Sequence, residues 1–161
     1  MQTYASIDQQ KLTFGNYATR RFCRLQGCTN DATTILQEFA GPNRGDALFH
    51  IVKAGLEAQY AIDKQPFTFD DADVSDFVDK VEGDTAKQNE VVYAFIGSVI
   101  NKPATEVPAW IEEVKAEAER LAAEEQKKAS QAQTPDEPKN VKAGKVDSTT
   151  KTSSPAPTAT V

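Results

Sequence analysis

The stretch DALFHIVKAGLEAQYAI, residues 46–62, decides how the rest of this chain is read. Leu48, Ile51, Val52, Ala54, Leu56 and Tyr60 recur at helical spacing and cover a surface broad enough to make this helix the central element. Gly55 in its interior costs about 1 kcal/mol relative to alanine, which is tolerable where another helix packs close. His50, the single histidine, falls on the same pattern and reads as a surface or half-buried side chain.

Upstream, GPNRG at 41–45 breaks the chain, and a short helix from Asp31 to about Phe39 precedes it, with Asn30 or Thr29 able to cap and Thr34, Ile35 and Phe39 on one side. Before that comes TFGNYATRRFCRLQGCTND, residues 13–31, with Asn16 as N-cap and Gly27 as C-terminal glycine of a helix from Tyr17 to Gln26. At about 100° per residue, Ala18, Phe22 and Leu25 share a stripe, Arg20 and Arg24 point the other way, and Arg21 lies beside the stripe. The arginines therefore form the wet side of an amphipathic helix. The first residues alternate over Tyr4–Ile7 and Lys11–Phe14 around Asp8, Gln9 and Gln10, which predicts a β-hairpin even though the turn lacks the favoured glycine.

Downstream, Thr68 or Asp70 caps a helix with an Asp-rich first turn and an inward stripe of Val74, Phe77, Val78 and Val81. Its aspartates lack the glycine and glutamate positions of an EF-hand loop and read as a solvated face. A further helix, Thr85 to Asn101, carries Val91, Val92, Phe95, Ile96, Val99 and Ile100. Pro103 and Pro108 interrupt the chain, the second fitting the first turn of a last helix from Ala109 to about Lys128. That helix opens with Trp110, Ile111 and Val114 and then thins to Ala118, Leu121 and Ala122.

From Ala129 onward there is no aromatic residue, leucine or isoleucine. Too little apolar surface remains there to offset the roughly 1–2 kcal/mol per residue of ordering entropy. The fold class is thus mainly α: a small helical domain of about five to six helices with a short N-terminal β-hairpin over residues 1–128, and a disordered low-complexity tail over 129–161.

The formal charge of −6 and pI near 4.9 disfavour a phosphate backbone as partner, so no nucleic acid is expected despite Arg20, Arg21 and Arg24. No apolar run reaches the roughly 20 residues that span a bilayer, and the N-terminus has no basic segment leading into an apolar one. No membrane partner is expected, and the expected location is a cytoplasm. Cys23 and Cys28 lie about 140° apart on one helix, too far around for an unstrained bridge, and read as small buried hydrophobes. With His50 they do not make up a zinc set, and no metal or cofactor is expected. Cys23 with His50 would still need an orienting partner and an oxyanion donor for catalysis, and no motif offers either. No catalytic residue is assigned. What folding leaves unexplained is apolar: Trp110, Ile111, Val114 and Leu121 on a helix that outruns the core, and Tyr4, Ile7, Leu12 and Phe14 in the hairpin.

In order, the hairpin ending in LTFGNYATRRFCRLQG, the helix with FHIVKAGLEAQYAID, then FTFDDADVSDFVDKV, a further apolar helix and a charged low-complexity end resemble the tail assembly chaperones of long-tailed bacteriophages. The resemblance spans residues 4–101 and includes no catalytic motif. It implies a non-enzymatic, mostly helical protein of the host-cell cytoplasm during infection, with the tape measure protein and the tail tube protein as partners and homo-oligomer formation left open. Such proteins keep the tape measure protein soluble, help recruit tail tube subunits, and are generally absent from the finished virion. Trp110, Ile111, Val114 and Leu121 are the candidate partner-binding residues on physical grounds, and Trp110→Asp or Ile111→Asp is expected to weaken client binding while leaving helicity intact. The rival readings are a minor connector or tail protein retained in the virion, and a small nucleic-acid-associated regulator.

Overall fold

The computed structural model describes residues 1–131, with side chains through 128. The order is β1 (Thr3–Ile7), β2 (Gln10–Phe14), α1 (Asn16–Gln26), α2 (Ala32–Ala40), α3 (Arg44–Ile62), α4 (Asp71–Glu82), α5 (Thr85–Ile100), a 3₁₀ turn (Ala104–Glu106) and α6 (Val107–Gln131). It is a mainly helical protein with a two-stranded antiparallel hairpin in front. Residues 1–124 form one compact unit. The tail expectation for residues 132–161 lies outside the described residues, and α6 continues through Gln131, past the Lys128 boundary read from sequence.

The hairpin pairs Thr3 with Phe14 and Ile7 with Gln10, leaving a two-residue turn of Asp8 and Gln9. Both turn residues have positive φ, 47° and 68°, the geometry whose twist matches the flanking strands. Asp8 is held there by Lys80 of α4 at 2.8 Å. Gln9 bears the left-handed backbone with a full Cβ, a conformation costing roughly 1–2 kcal/mol. Gln9→Gly is therefore expected to raise stability by about 1 kcal/mol, read as a higher denaturant midpoint with unchanged slope. A lower midpoint would mean that the turn draws its stability from the Gln9 side chain.

The outer edge of β1 is covered by α5: Thr3 Oγ1 donates to the Ala94 carbonyl, and Ser6 N–H donates to Glu90 Oε1 at 3.3 Å. On the inner face Ile7, Leu12 and Phe14 are fully buried. The hairpin thus completes the protein's own core. Only Tyr4 of its four apolar candidates is exposed, with the Lys11 ammonium 4.0 Å from its ring centroid.

α3 lies at the centre, touching β2, α1, α2, α4 and α5. Ala47, Leu48, Ile51, Val52, Ala54, Leu56 and Ala58 are all buried, an arc of about 200° on the helical wheel, so more than half of the helix's circumference is used. The close neighbour at Gly55 is strand β2, not another helix: a Cβ there would sit 2.6 Å from Phe14 Cε1 and 3.1 Å from Leu12 Cβ.

Helix ends follow local chemistry, with two corrections. α1 begins at Asn16 itself, and Gly15 takes the cap position without a side-chain bond, because strand pairing runs to Phe14 and leaves one residue for the turn into the helix. α2 is capped by Asp31 rather than Asn30 or Thr29: its carboxylate accepts from Thr34 N–H at 2.9 Å and from Thr34 Oγ1 at 3.1 Å. An anionic cap also gains from the helix dipole, and these bonds lower the Asp31 pKa. At α4, Asp70 and Asp73 form a reciprocal capping box, with Asp73 N–H donating to Asp70 at 2.9 Å and Asp70 N–H to Asp73 at 3.0 Å. α5 closes on Asn101 at φ 58°, and Lys102 N–H returns to the Gly97 carbonyl at 2.9 Å.

Two aromatic groups tie the elements together. Phe14, Phe22, Phe39 and Phe95 meet where the hairpin, α1, α2 and α5 converge. Tyr60, Phe67, Phe69 and Phe77 pack edge to face, fastening the α3–α4 loop to both helices.

Candidate functional site

Pro108 is the second residue of α6, where its missing N–H has no intrahelical acceptor to lose. Val107 beside it is fully buried and faces Gly97, whose ideal Cβ would lie 3.4 Å from Val107 Cγ2. Trp110 and Ile111 are half-buried and pack against the core. Ile111 also lines a cleft of about 190 Å³ with Phe39, Leu48 and Val92. These two residues therefore serve the fold as well as any partner, which changes the expectation that their substitution leaves folding intact.

Farther along, the apolar stripe separates from the core. Val114 is half-buried, every side chain from Lys115 to Glu124 is exposed, and Leu121 is 49% exposed. On the helical wheel Val114 and Leu121 lie within about 20° of each other, with Glu117 and Glu124 on one flank of the stripe. Lys115 pairs with Glu112 at 2.9 Å and Arg120 with Glu117 at 2.5 Å, i,i+3 pairs that stiffen the helix. Val114 and Leu121 are the members of the predicted set that remain open to a partner.

The arginines of α1 divide in two. Arg21 reaches Glu57 on α3 through Nε at 2.5 Å and Nη2 at 2.9 Å, a bidentate pair with the Glu57 side chain only 11% exposed. This pairing raises the Arg21 pKa further and makes Arg21 part of the fold. Arg20 and Arg24 are exposed and form no ion pair among the described residues. With Tyr17 and Asn16 they line a cleft of about 300 Å³. Tyr17 also lines a larger one, about 470 Å³, together with Met1 and Ile62. Met1, Tyr17 and Ile62 are 57%, 55% and 51% exposed, so three of the largest exposed apolar side chains edge one depression beside the free guanidiniums.

The candidates for chemistry occupy different settings. Cys23 and Cys28 are free thiols on either side of Gly27, which ends α1 at φ 74° and lets Cys28 N–H bond back to the Cys23 carbonyl at 3.1 Å. Cys23 donates to the Thr29 carbonyl at 3.6 Å, and burial, reinforced by the neighbouring Cys28 thiol, pushes its pKa up to about 12. A thiol so strongly held in its protonated form is a poor nucleophile at neutral pH.

His50 is engaged elsewhere. Gln26 Nε2 donates to Glu38 at 2.7 Å, which turns Gln26 Oε1 toward His50 Nδ1, also at 2.7 Å, so Nδ1 carries the proton. Burial lowers the His50 pKa from its ordinary 6.5; Lys53 and Arg21 act in the same direction, and Asp46 and Asp71 oppose them. Because the folded value is depressed, this stability is fully present above about pH 6.5 and is lost as pH falls through the lower folded value. The thermal midpoint should accordingly fall on acidification from about pH 7.5 to about pH 5.5, and His50→Gln should flatten that slope. An unchanged slope in the variant would place the titrating group elsewhere.

Among the described residues no group of three His, Cys, Asp or Glu side chains could hold a metal ion, and no helix is long and apolar enough to cross a membrane. Sequence reasoning did not find the Arg21–Glu57 pair or the Met1–Tyr17–Ile62 depression, since each joins elements distant in the chain. Compared with family models, with curated proteins and with solved structures, the chain finds no match.

Proposed function

We propose that this protein is a tail assembly chaperone of a long-tailed bacteriophage, a non-enzymatic binding protein of the host-cell cytoplasm that holds the tape measure protein soluble and helps bring tail tube subunits to it. The observation that carries the binding role is the apolar stripe of α6, which continues past its last core contacts to a half-exposed Leu121. The phage assignment itself rests on the resemblance of residues 4–101.

The mechanism is physical. An amphipathic client helix covers Val114 and Leu121, while Trp110 and Ile111 at the root of α6 hold the stripe in place. Full burial of one such aliphatic side chain contributes about 1.5–3 kcal/mol, so one contact is weak and many copies along a long client make the coat stable. The net charge of −6 keeps coated clients apart.

Co-expression with the tape measure candidate, followed by pull-down and native mass measurement of the soluble fraction, tests the reading. The client should become soluble only with this protein, with several copies attached. Leu121→Asp or Val114→Asp should lower the recovered client about tenfold while leaving the thermal midpoint within about 2 °C. Trp110→Asp and Ile111→Asp should lower both client recovery and midpoint, because these side chains also touch the core. A client that stays insoluble while this protein elutes alone would overturn the chaperone role.

A further inference from the structure

We propose that Cys23 and Cys28 are a thiol pair that closes to an intramolecular disulfide by exchange with small disulfides such as glutathione disulfide, a modification that staples the corner between α1 and α2. The separation of about 140° that the two positions have on a continuous helix does not apply. α1 ends at Gln26, and Gly27 turns the chain back at φ 74°. Gly27 N–H and Cys28 N–H both return to the Cys23 carbonyl, at 2.9 and 3.1 Å. In a glycine cap of this kind, the two residues joined by the second of these bonds are the ones whose side chains come into contact. The Cys23 sulfur follows that rule: it lies 3.6 Å from the carbonyl oxygen of Thr29, the residue after Cys28. Cys28 in turn packs against the core cluster to which Cys23 belongs.

Exposure sets the order of attack. Cys28 is half-buried and Cys23 is buried, so a small disulfide reaches Cys28 first. The Cys28 thiol loses its proton, its sulfur attacks one sulfur of the small disulfide, and one small thiolate leaves. The Cys23 thiol then loses its proton, its sulfur attacks the Cys28 sulfur, and the second small thiolate leaves. The cysteines give up two protons and two electrons in all, and the small disulfide becomes two thiols. Burial raises the Cys28 pKa, although the adjoining Cys23 thiol acts the other way. Both steps are therefore slow at neutral pH, and closure depends on the second sulfur being already in place.

A metal site fits less well. Two sulfurs supply half of a tetrahedral set, His50 is turned to Gln26, and among the described residues no group of three suitable ligands lies together. The bond joins the end of α1, where Phe22 stacks on Phe39, to the segment that leads into α2. Leu36 and Phe39 of α2 line the cleft that Ile111 shares, so the staple steadies one wall of it. The inference rests on neither the phage reading nor client binding, since every group it uses belongs to this corner of the chain.

The experiment equilibrates the purified full chain with mixtures of oxidised and reduced glutathione at about pH 8.5, where thiolate forms more readily, once in native buffer and once in concentrated urea. Intact mass should show the loss of two hydrogens with no dimer, and a peptide map should link Cys23 to Cys28. Nearness in sequence serves both samples equally, so the folded corner is read from their ratio: the native equilibrium constant should exceed that in urea at least about tenfold. By the same linkage the oxidised protein should melt about 5 °C higher than the reduced one, and dithiothreitol should reverse the rise. Cys23→Ala should stop at a mixed disulfide of Cys28 with glutathione, whereas Cys28→Ala should remain unmodified while folded. A wild type that stops at the mixed disulfide, a bond between two chains, or closure no more favourable in native buffer than in urea would each overturn the proposal and leave the two thiols as apolar filling of a helix cap.

Discussion

Phe95→Ala should lower the stability of the domain by about 4 kcal/mol, a large share of the roughly 5–15 kcal/mol that holds a domain of this size together. Phe95 is fully buried on α5, and its ring centroid lies 4.9 Å from Phe22, 5.6 Å from Phe14 and 6.4 Å from Phe39. It is the one aromatic that meets α1, the hairpin and α2 together. Truncation removes the transfer free energy of the ring, leaves a cavity that three rings from three elements cannot close without separating from their own neighbours, and forfeits edge contacts worth about 0.5–1.5 kcal/mol each. Urea titration should show a lower midpoint at unchanged slope. Phe39→Ala is the comparison, because Phe39 is only half-buried and reaches the same cluster from its rim. It should cost about half as much. A loss below about 1.5 kcal/mol for Phe95→Ala would mean that the cluster collapses around the void, and that the hairpin is not held through this residue.

Much of this architecture is legible in the chain because its signals are local. The 46–62 pattern names the central helix, Gly27 and Asn101 sit where left-handed backbone ends α1 and α5, and Asp70 announces a cap that the structure completes with Asp73. The hairpin could be read from alternation, although its turn is built on Asp8 and Gln9 with no glycine; strand pairing and the Lys80 contact hold a conformation that local preference resists. What stays hidden is long-range. Nothing near Arg21 in sequence identifies Glu57 as its partner, and helical periodicity assigns Trp110, Val114 and Leu121 to one stripe without saying where the core ends along it. The same holds for the hairpin: Ile7, Leu12 and Phe14 look like an unspent apolar surface until α3 and α5 are placed against them. The candidate site was thus legible as a set of residues. Its division into anchoring and open halves required the fold.

Gly55→Val should cost about 2–3 kcal/mol, against the sign that helix propensity alone assigns. An interior helical glycine is about 1 kcal/mol worse than alanine, so on local grounds any side chain here is an improvement or nearly neutral. The obstacle lies in β2. The first atom of any new side chain would sit 2.6 Å from Phe14 Cε1, and Leu12 Cβ closes the other side at 3.1 Å. Phe14 cannot swing clear, because it is fully buried and its ring is set edge-on against Phe95. The hairpin must lift or α3 must bow, and either movement loosens the layer in which Leu12, Phe14 and Leu56 are fully buried. Alanine, with its single methyl, sets propensity gain against clash and should still come out destabilised; valine adds two γ-carbons to the same contact. The steric origin is separable by a double-mutant cycle. Phe14→Leu shortens the side chain that blocks the site, so Gly55→Val combined with Phe14→Leu should be less destabilised than the sum of the two single changes by at least about 1 kcal/mol. Strict additivity would place the cost in the α3 backbone. Coupling of that size would identify Gly55 as the point where the central helix admits the hairpin, and would explain why a residue poor for a helix stands in the middle of the helix that organises the fold.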